Sequence, residues 1–396
     1  MTTASPFSPA DRLKRLPPYI FVELDRAKER LLAQKKDVIN VGIGDPDLPP
    51  PAIAVEALKR ALSLPRVHRY PNDRGCPEFR EAAAAWHKRR FGVELDPLRE
   101  VRALIGTKEG IGHLPLTIVN PGDTVLIPDP GYPPYFSGTI FADGKAQFMP
   151  LREKNGFLPD LDAIGAKKGE RIRLMFINYP NNPTAAVCDL KFLEKVVAFA
   201  HKHGVIVAHD LSYSEIYFDT PSPSILQVPG ARDVAVEFHS FSKMFSMPGW
   251  RLGWVAGNAD VLAALGGLKA NLDSGAFTAV QLAGAELLLN GWEAQKEIRQ
   301  GYQKRLDILV DTANSHGWKI KRPAATLYAW LPVPKGFTST SFAMELIEKE
   351  HVIVLPGNAM GKEGEGYFRI SAAIEDSRIK EAAERLCRFV RGNLSE

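Results

Sequence analysis

From Val101 onward, short apolar runs alternate with longer segments whose apolar residues recur at helical spacing. The runs are Val101 to Ile105, Thr124 to Pro128, Arg173 to Asn178, Val205 to Asp210, Val234 to Phe238 and Leu252 to Ala256. Such runs, bounded by turn residues, read as buried strands, and strands separated by amphipathic helices build a parallel sheet wrapped on both faces. Beyond Asn290 the pattern changes to a long charged helix, Trp292 to about His316, then strands Trp318 to Lys321 and Thr326 to Leu331. Helix Ser341 to Glu350, strands around Val352 to Leu355 and Tyr367 to Ser371, and a last helix from Asp376 complete it. The pattern predicts an α/β chain: a large domain with a mainly parallel sheet flanked by helices, plus a smaller α/β domain. Pro17 and Pro18 precede a helix at about Phe21 to Gln34, which is expected beside the smaller domain rather than on the sheet. The expected division is residues 1–54 as an N-terminal arm and part of the small domain, 55–291 as the large domain and 292–396 as the small C-terminal domain.

Composition narrows the function classes. A chain of 396 residues with 45% apolar content is long enough for two domains and a deep site. Its 50 basic and 46 acidic residues are dispersed, so no basic stripe suits a nucleic acid backbone. Cys76, Cys188 and Cys387 lie far apart without metal-ligand spacing, which predicts reduced thiols, no metal and no disulfide framework. Met1 to Ile20 holds no apolar run fit for a signal peptide, and no later run is long enough to span a membrane. A cytoplasmic protein acting on small molecules is the expectation.

Ligands of open α/β sheets bind beyond the carboxyl ends of the strands, and Thr107, Asn182, Asp210 and Ser240 all follow apolar runs. Ser240-Phe241-Ser242-Lys243 places a lysine among small hydroxyls, with Arg251 close behind in Gly249-Trp250-Arg251-Leu252-Gly253. A lysine amine forms a Schiff base with an aldehyde, and hydroxyls with a guanidinium bind a dianionic phosphate, which together suit pyridoxal phosphate. Asp210 closes Val205-Ile206-Val207-Ala208-His209, so its carboxylate is expected at the sheet edge, fit to keep a pyridine nitrogen protonated. Taken alone, it equally fits a turn cap. Tyr213 stands close enough in sequence to donate to the ring's phenolate oxygen.

Asn178-Tyr179-Pro180-Asn181-Asn182-Pro183-Thr184 is a rigid turn that would aim the Asn182 amide at the same oxygen, although asparagine-proline clusters also make plain loops. In Gly106-Thr107-Lys108-Glu109-Gly110, a strand passes into a helix whose free N–H groups would converge with the Thr107 hydroxyl on an anion, or serve only as a cap. Tyr132 follows the next strand and either stacks on the ring or packs at the surface. Arg369 alternates with apolar residues in Tyr367-Phe368-Arg369-Ile370-Ser371, and an inward arginine needs an anion: a substrate carboxylate or an internal one. Gly44 would let backbone approach the same carboxylate.

Over nearly its whole length the chain resembles the fold-type I, class I and II aminotransferases, in the ordered set Tyr70, Asn182, Asp210, Tyr213, Ser240, Lys243, Arg251 and Arg369. The resemblance implies pyridoxal phosphate as cofactor, Lys243 as Schiff-base lysine and proton shuttle, and Asp210 against the pyridinium. It implies Asn182 and Tyr213 on the ring oxygen and Tyr132 stacked on the ring. The phosphate would be held by Thr107, Lys108, Ser240, Ser242, Arg251 and Tyr70 of the partner subunit, so a homodimer sharing its sites is implied.

Within the family, Gly-Thr-Lys-Glu-Gly-Ile, Asp-Pro-Gly-Tyr-Pro, Asn-Tyr-Pro-Asn-Asn-Pro-Thr and Asn271-Leu272-Asp273-Ser274-Gly275 are most similar to bacterial LL-diaminopimelate aminotransferases. Those transfer nitrogen from glutamate to tetrahydrodipicolinate in lysine synthesis. On that resemblance the substrate meets Tyr19, Gly44, Lys108, Tyr132, Asn182 and Arg369. A broader aminotransferase for alanine, aspartate or aromatic amino acids with 2-oxoglutarate, and a C–S β-lyase of the same fold, stay open. The chain departs from the family at Ala185, where glycine is usual, at Met244 and Pro248, where hydroxyl residues are common, and at Ser274, where some members have Asn.

Overall fold

The computed structural model describes residues 8–16, 21–165 and 171–394. Its strands are β1 (Ile39–Asn40), β2 (Val101–Leu104), β3 (Thr124–Asp129), β4 (Lys145–Pro150), β5 (Ile172–Asn178), β6 (Ile206–Asp210), β7 (Ala235–Ser240) and β8 (Gly253–Gly257). Further along come β9 (Tyr328–Pro332), β10 (Val352–Ile353), β11 (Leu355–Pro356) and β12 (Tyr367–Ser371). One seven-stranded sheet has the order β2-β8-β7-β6-β5-β3-β4. Strands β4, β3, β5, β6 and β7 pair parallel, whereas β8 runs antiparallel to both β7 and β2. The expected mainly parallel sheet is therefore present, with an antiparallel edge.

Near-continuous apolar strands such as β5 follow from burial on both faces. Alternation then divides each strand between two cores. Val236 and Phe238 of β7 join Leu104, Ile111, Val125, Phe176 and Ala208 on one face. On the other face Ala235 joins Phe79, Trp86, Leu193, Val207 and Trp254. Asp210 and Ser240 are in phase with the first set, so both emerge on that face at the carboxyl edge of the sheet. His209, Glu237 and His239 take the opposite face, fully buried.

A separate three-stranded antiparallel sheet has the order β11-β12-β9, and β1 pairs parallel with β10 through Ile39 opposite Val352. Leu24, Ala27 and Leu31 of the helix Phe21–Ala33 enter a third core with Phe342, Leu346, Phe368 and Leu386. The N-terminal helix thus packs beside the second sheet, as the prolines suggested. Two sequence expectations need correction. Trp318 to Lys321 forms no strand, since its backbone finds no ladder partner and follows the helix Trp292–Ser315 as irregular chain. Strand β4 was not expected because, as an exposed sheet edge with Lys145 and Gln147, it lacks the apolar run of an inner strand. No described helix is long and apolar enough to cross a membrane.

Candidate active site

A cavity of about 370 Å³ opens where the carboxyl edge of the large sheet meets β9, β11 and β12. Most of the residues expected from the sequence line it: Gly44, Thr107, Lys108, Tyr132, Asn182, Asp210, Tyr213, Ser240, Ser242, Lys243, Arg251 and Arg369. Tyr70 does not. It is 97% exposed on a surface segment of this chain. Tyr19 lies outside the described residues.

One wall is an anion cradle. The helix Thr107–Ile118 begins at Gly106, whose φ of +73° places it in the left-handed region that favours glycine. A side chain there would also collide with Arg251, since a Cβ would come within 2.4 Å of Nη2. The guanidinium is thereby pressed against the helix start, where unpaired N–H groups and the helix dipole favour negative charge. The Thr107 hydroxyl lies 3.3 Å from that of Ser212, and Ser240 Oγ accepts from the Ser242 N–H at 3.2 Å. Behind the loop, Glu109 accepts the Ile105 N–H with one oxygen and pairs with Lys269 through the other at 2.9 Å. Burial raises the Glu109 carboxyl, but His113, Lys269 and that N–H outweigh it and hold it below its ordinary range. Lys269 is fully buried and also meets Asp273 at 3.0 Å.

At the floor, Asp210 is 4% exposed and accepts from Tyr135 Oη at 2.7 Å and from the hydroxyl of Ser212 at 2.6 Å. These donors fix a carboxylate where no protein cation pairs with it among the described residues. Asn178 binds the neighbouring turn to the same strand: its Nδ2 donates to the Asp210 carbonyl at 2.7 Å and its Oδ1 accepts from the Asn182 N–H at 2.7 Å. Tyr132 stands over this floor, and burial followed by the Asp210 charge pushes its phenol up.

Lys243 Nζ donates to the Gly44 carbonyl at 2.9 Å. Burial lowers the amine below its ordinary value, Tyr328 and Asp45 oppose this, and Arg369 and Arg251 add to it. A lysine in this state is readily deprotonated and nucleophilic.

Arg369 reaches in from β12. Its Nη1 donates to Asn182 Oδ1 at 2.7 Å and its Nη2 to the Gly42 carbonyl at 2.8 Å, while the buried Nε has no partner. No carboxylate of the described residues forms an ion pair with it, so the internal salt bridge considered above is not what the arginine is for. A buried guanidinium held by neutral oxygens and the Tyr328 ring, with no carboxylate beside it, can receive an anion from outside.

Sequence reasoning missed Tyr135, Ser212, Tyr328, Leu355 and Met360. Tyr328 was within reach, because it alternates with Leu327 and Ala329 at the start of a strand, as Arg369 does in its own. Tyr135 bonds Asp210 from a helix beyond β3, a contact no local pattern encodes.

The family described as "Aminotransferase class I and II" matches residues 36–386. An LL-diaminopimelate aminotransferase of Moorella thermoacetica is 52% identical over 382 residues, covering 96% of this chain and 98% of that one. One of Aquifex aeolicus is 51% identical over 381 residues, covering 96% and 98%. Among solved structures, substrate-bound BacF from Bacillus subtilis superposes with a TM-score of 0.92 at 36% identity, covering 97% of this chain and 98% of that one. Around one cavity, the hydroxyls, Arg251 and helix start, the fixed Asp210 carboxylate, the desolvated Lys243 and the Arg369 guanidinium without a carboxylate partner fit pyridoxal phosphate and an amino acid. With the matches above, they show that this chain belongs to the class I and II aminotransferases and is a pyridoxal-phosphate-dependent enzyme.

Proposed function

We propose that the enzyme transfers the amino group of glutamate to tetrahydrodipicolinate, forming LL-diaminopimelate for lysine synthesis in the cytoplasm. The observation that carries the site assignment is Arg369, buried, unpaired with any described carboxylate and lining the same cavity as Lys243. Support for the substrate comes from relatives of that name at about half identity over nearly the whole chain.

In this reading Thr107, Lys108, Ser240, Ser242 and Arg251 hold the phosphate, Tyr132 covers the ring, and Asp210 keeps the ring nitrogen protonated. Bound pyridoxal phosphate supplies an aldehyde that condenses with amines and a ring that accepts electrons from the substrate α-carbon. Arg369 grips the substrate α-carboxylate, and the Gly44 backbone stands beside it. Asn182, its oxygen committed to Arg369, has only amide protons left to donate into the cavity. Lys243, lowered by burial, would take the α-proton as the free amine and deliver it to the cofactor rather than back to the α-carbon, and the second oxo acid would run the exchange in reverse. Clamping the carboxylate from one side and the ring from the other fixes which substrate bond faces the lysine.

Tyr70 completes the cradle from the partner subunit in this reading. It is 97% exposed on its own chain, a few residues along the sequence from exposed Leu62 and Leu64. Leu272 and Phe277 are exposed on a segment that packs against Asn72, which gives the dimer an apolar surface to cover. The division at 1–54, 55–291 and 292–396 is supported in outline: Leu24 to Val41 share one core with Leu306 to Val390, and the other two cores lie within Ala54 to Leu288.

The test is a half-reaction screen that follows loss of the lysine-bound cofactor's visible absorbance on adding single amino acids. LL-diaminopimelate and glutamate are expected to bleach it, and the meso isomer is not. Bleaching by alanine, aspartate or aromatic amino acids with indifference to LL-diaminopimelate would identify the broader aminotransferase instead.

A further inference from the structure

Tyr328, on β9, is 2% exposed and lines the cavity. Its hydroxyl lies 3.1 Å from that of Tyr213. The Arg369 guanidinium carbon stands 4.1 Å from its ring centroid, and a Cβ on Gly44 would come within 2.1 Å of its hydroxyl oxygen. The charged or titratable groups around it are Arg369 from β12, Lys243 from the turn after β7 and Tyr213 from the turn after β6, with Tyr132 and Tyr302 at its margin.

Two hydroxyls at this distance share one hydrogen bond, and each has a single proton to give. Burial opposes ionisation of Tyr328, but the adjacent Arg369 and Lys243 charges win and hold its phenol below the ordinary range. Burial and the neighbouring Tyr328 push Tyr213 well above that range. The Arg369 guanidinium against its ring draws electron density from the Tyr328 hydroxyl, which makes its proton the one more readily given and leaves the Tyr213 oxygen to accept.

We propose that Tyr328 is a positioning residue whose hydroxyl donates to Tyr213 and so directs the Tyr213 proton into the cavity, toward the ring oxygen of the cofactor. The proposal rests on the placing of Tyr213 given above. With its oxygen accepting from Tyr328, Tyr213 keeps one proton and one direction in which to use it, and a phenol that accepts a hydrogen bond donates a stronger one. Gly44 belongs to the same device, because any side chain there would displace the Tyr328 hydroxyl.

Tyr328→Phe keeps the ring under Arg369 and removes only the hydroxyl. A donor to the ring oxygen stabilises its anionic form, so it lowers the pH at which the visible absorbance of lysine-bound pyridoxal phosphate changes. In Tyr328→Phe that midpoint is expected to rise by about half a unit to one unit, the size of one neutral hydrogen bond. Tyr213→Phe should raise it as well, and the double variant should match Tyr213→Phe alone, since Tyr328 acts only through Tyr213. An unmoved midpoint, or an equal shift whether or not Tyr213 keeps its hydroxyl, overturns the proposal. A wild-type protein without a pH-dependent visible band overturns instead the assignment of Lys243 and Tyr213 on which it rests.

Discussion

Arg369 Nη1 meets Asn182 Oδ1 at 2.7 Å, joining a strand of the second sheet to a turn at the edge of the first. The contact fixes both donors toward the cavity without neutralising the guanidinium. Arg369→Ala is expected to lower kcat/KM by about a hundredfold or more for every amino acid substrate, as loss of a desolvated charge-assisted contact does. Arg369→Lys should recover only part of it, since a point charge does not reproduce the fork. Half-reaction kinetics measure this, and an unchanged apparent affinity for the amino acid would place the carboxylate elsewhere.

The lowered Lys243 amine has a signature in the cofactor-free protein. The folded chain binds this proton less tightly than the unfolded chain, whose ordinary value is 10.5, so stability gains as pH rises from the folded value toward 10.5. Lys243→Met lacks this dependence. Urea unfolding should therefore show the variant more stable than wild type at neutral pH, with the gap closing in alkali. A gap independent of pH would mean that the buried amine titrates normally. The same variant is expected to lose the visible absorbance and the turnover of the loaded enzyme.

Lys269 neutralises Glu109 and Asp273 from a fully buried position. Removing Lys269 leaves two partly buried carboxylates with only His113 beside them, so Lys269→Met should cost about 3–5 kcal/mol of stability. Because Glu109 also holds the Ile105 N–H at the root of the phosphate loop, pyridoxal phosphate should dissociate faster as well. Denaturant midpoints and cofactor retention on dialysis check the two effects separately.

Ala185 adopts a φ of +58°, which accounts for the family's preference for glycine at this position. Ala185→Gly is expected to stabilise the protein by up to about 1 kcal/mol, set against the entropy that glycine adds to the unfolded chain. A fall in melting temperature would show that the buried methyl matters more than the backbone.

Mixing Lys243→Ala chains with Tyr70→Ala chains tests the shared site. A hybrid dimer places both lesions in one site and leaves the other whole, so activity should exceed the sum of the two variants measured apart. Simple additivity would remove Tyr70 from the site.

The chemistry was legible where it sits at strand ends. Asp210, Ser240 and Asn182 each stand at or after the end of an apolar run, the edge at which ligands of open α/β sheets bind. Arg369 was legible by alternation, but its lack of a carboxylate partner needed the fold. Alternation put Tyr328 within reach but not its task, and Tyr135 was illegible altogether, because a tyrosine among apolar residues reads as core and only tertiary contact with Tyr213 and Asp210 gives each hydroxyl a role. Among the family departures, Pro248 proves to line the cavity and to accept from Arg251 through its carbonyl at 2.7 Å, which needs no hydroxyl side chain. Met244 is buried against Gln295, and Ser274 takes a left-handed φ of +67°. Nothing in the structure explains why Met244 replaces a hydroxyl residue.

The pairing of Ile39 with Val352 gives protein synthesis a role in timing. The first strand leaves the ribosome long before its partner exists, and with it Leu24, Ala27 and Leu31, which share the third core with residues made near the end of the chain. Until then these side chains lack the core that buries them, so the nascent N-terminus carries exposed apolar surface for most of synthesis. A ribosome that stalls after Arg251 would release a chain that carries the residues proposed to hold the phosphate, and Lys243, but lacks Arg369.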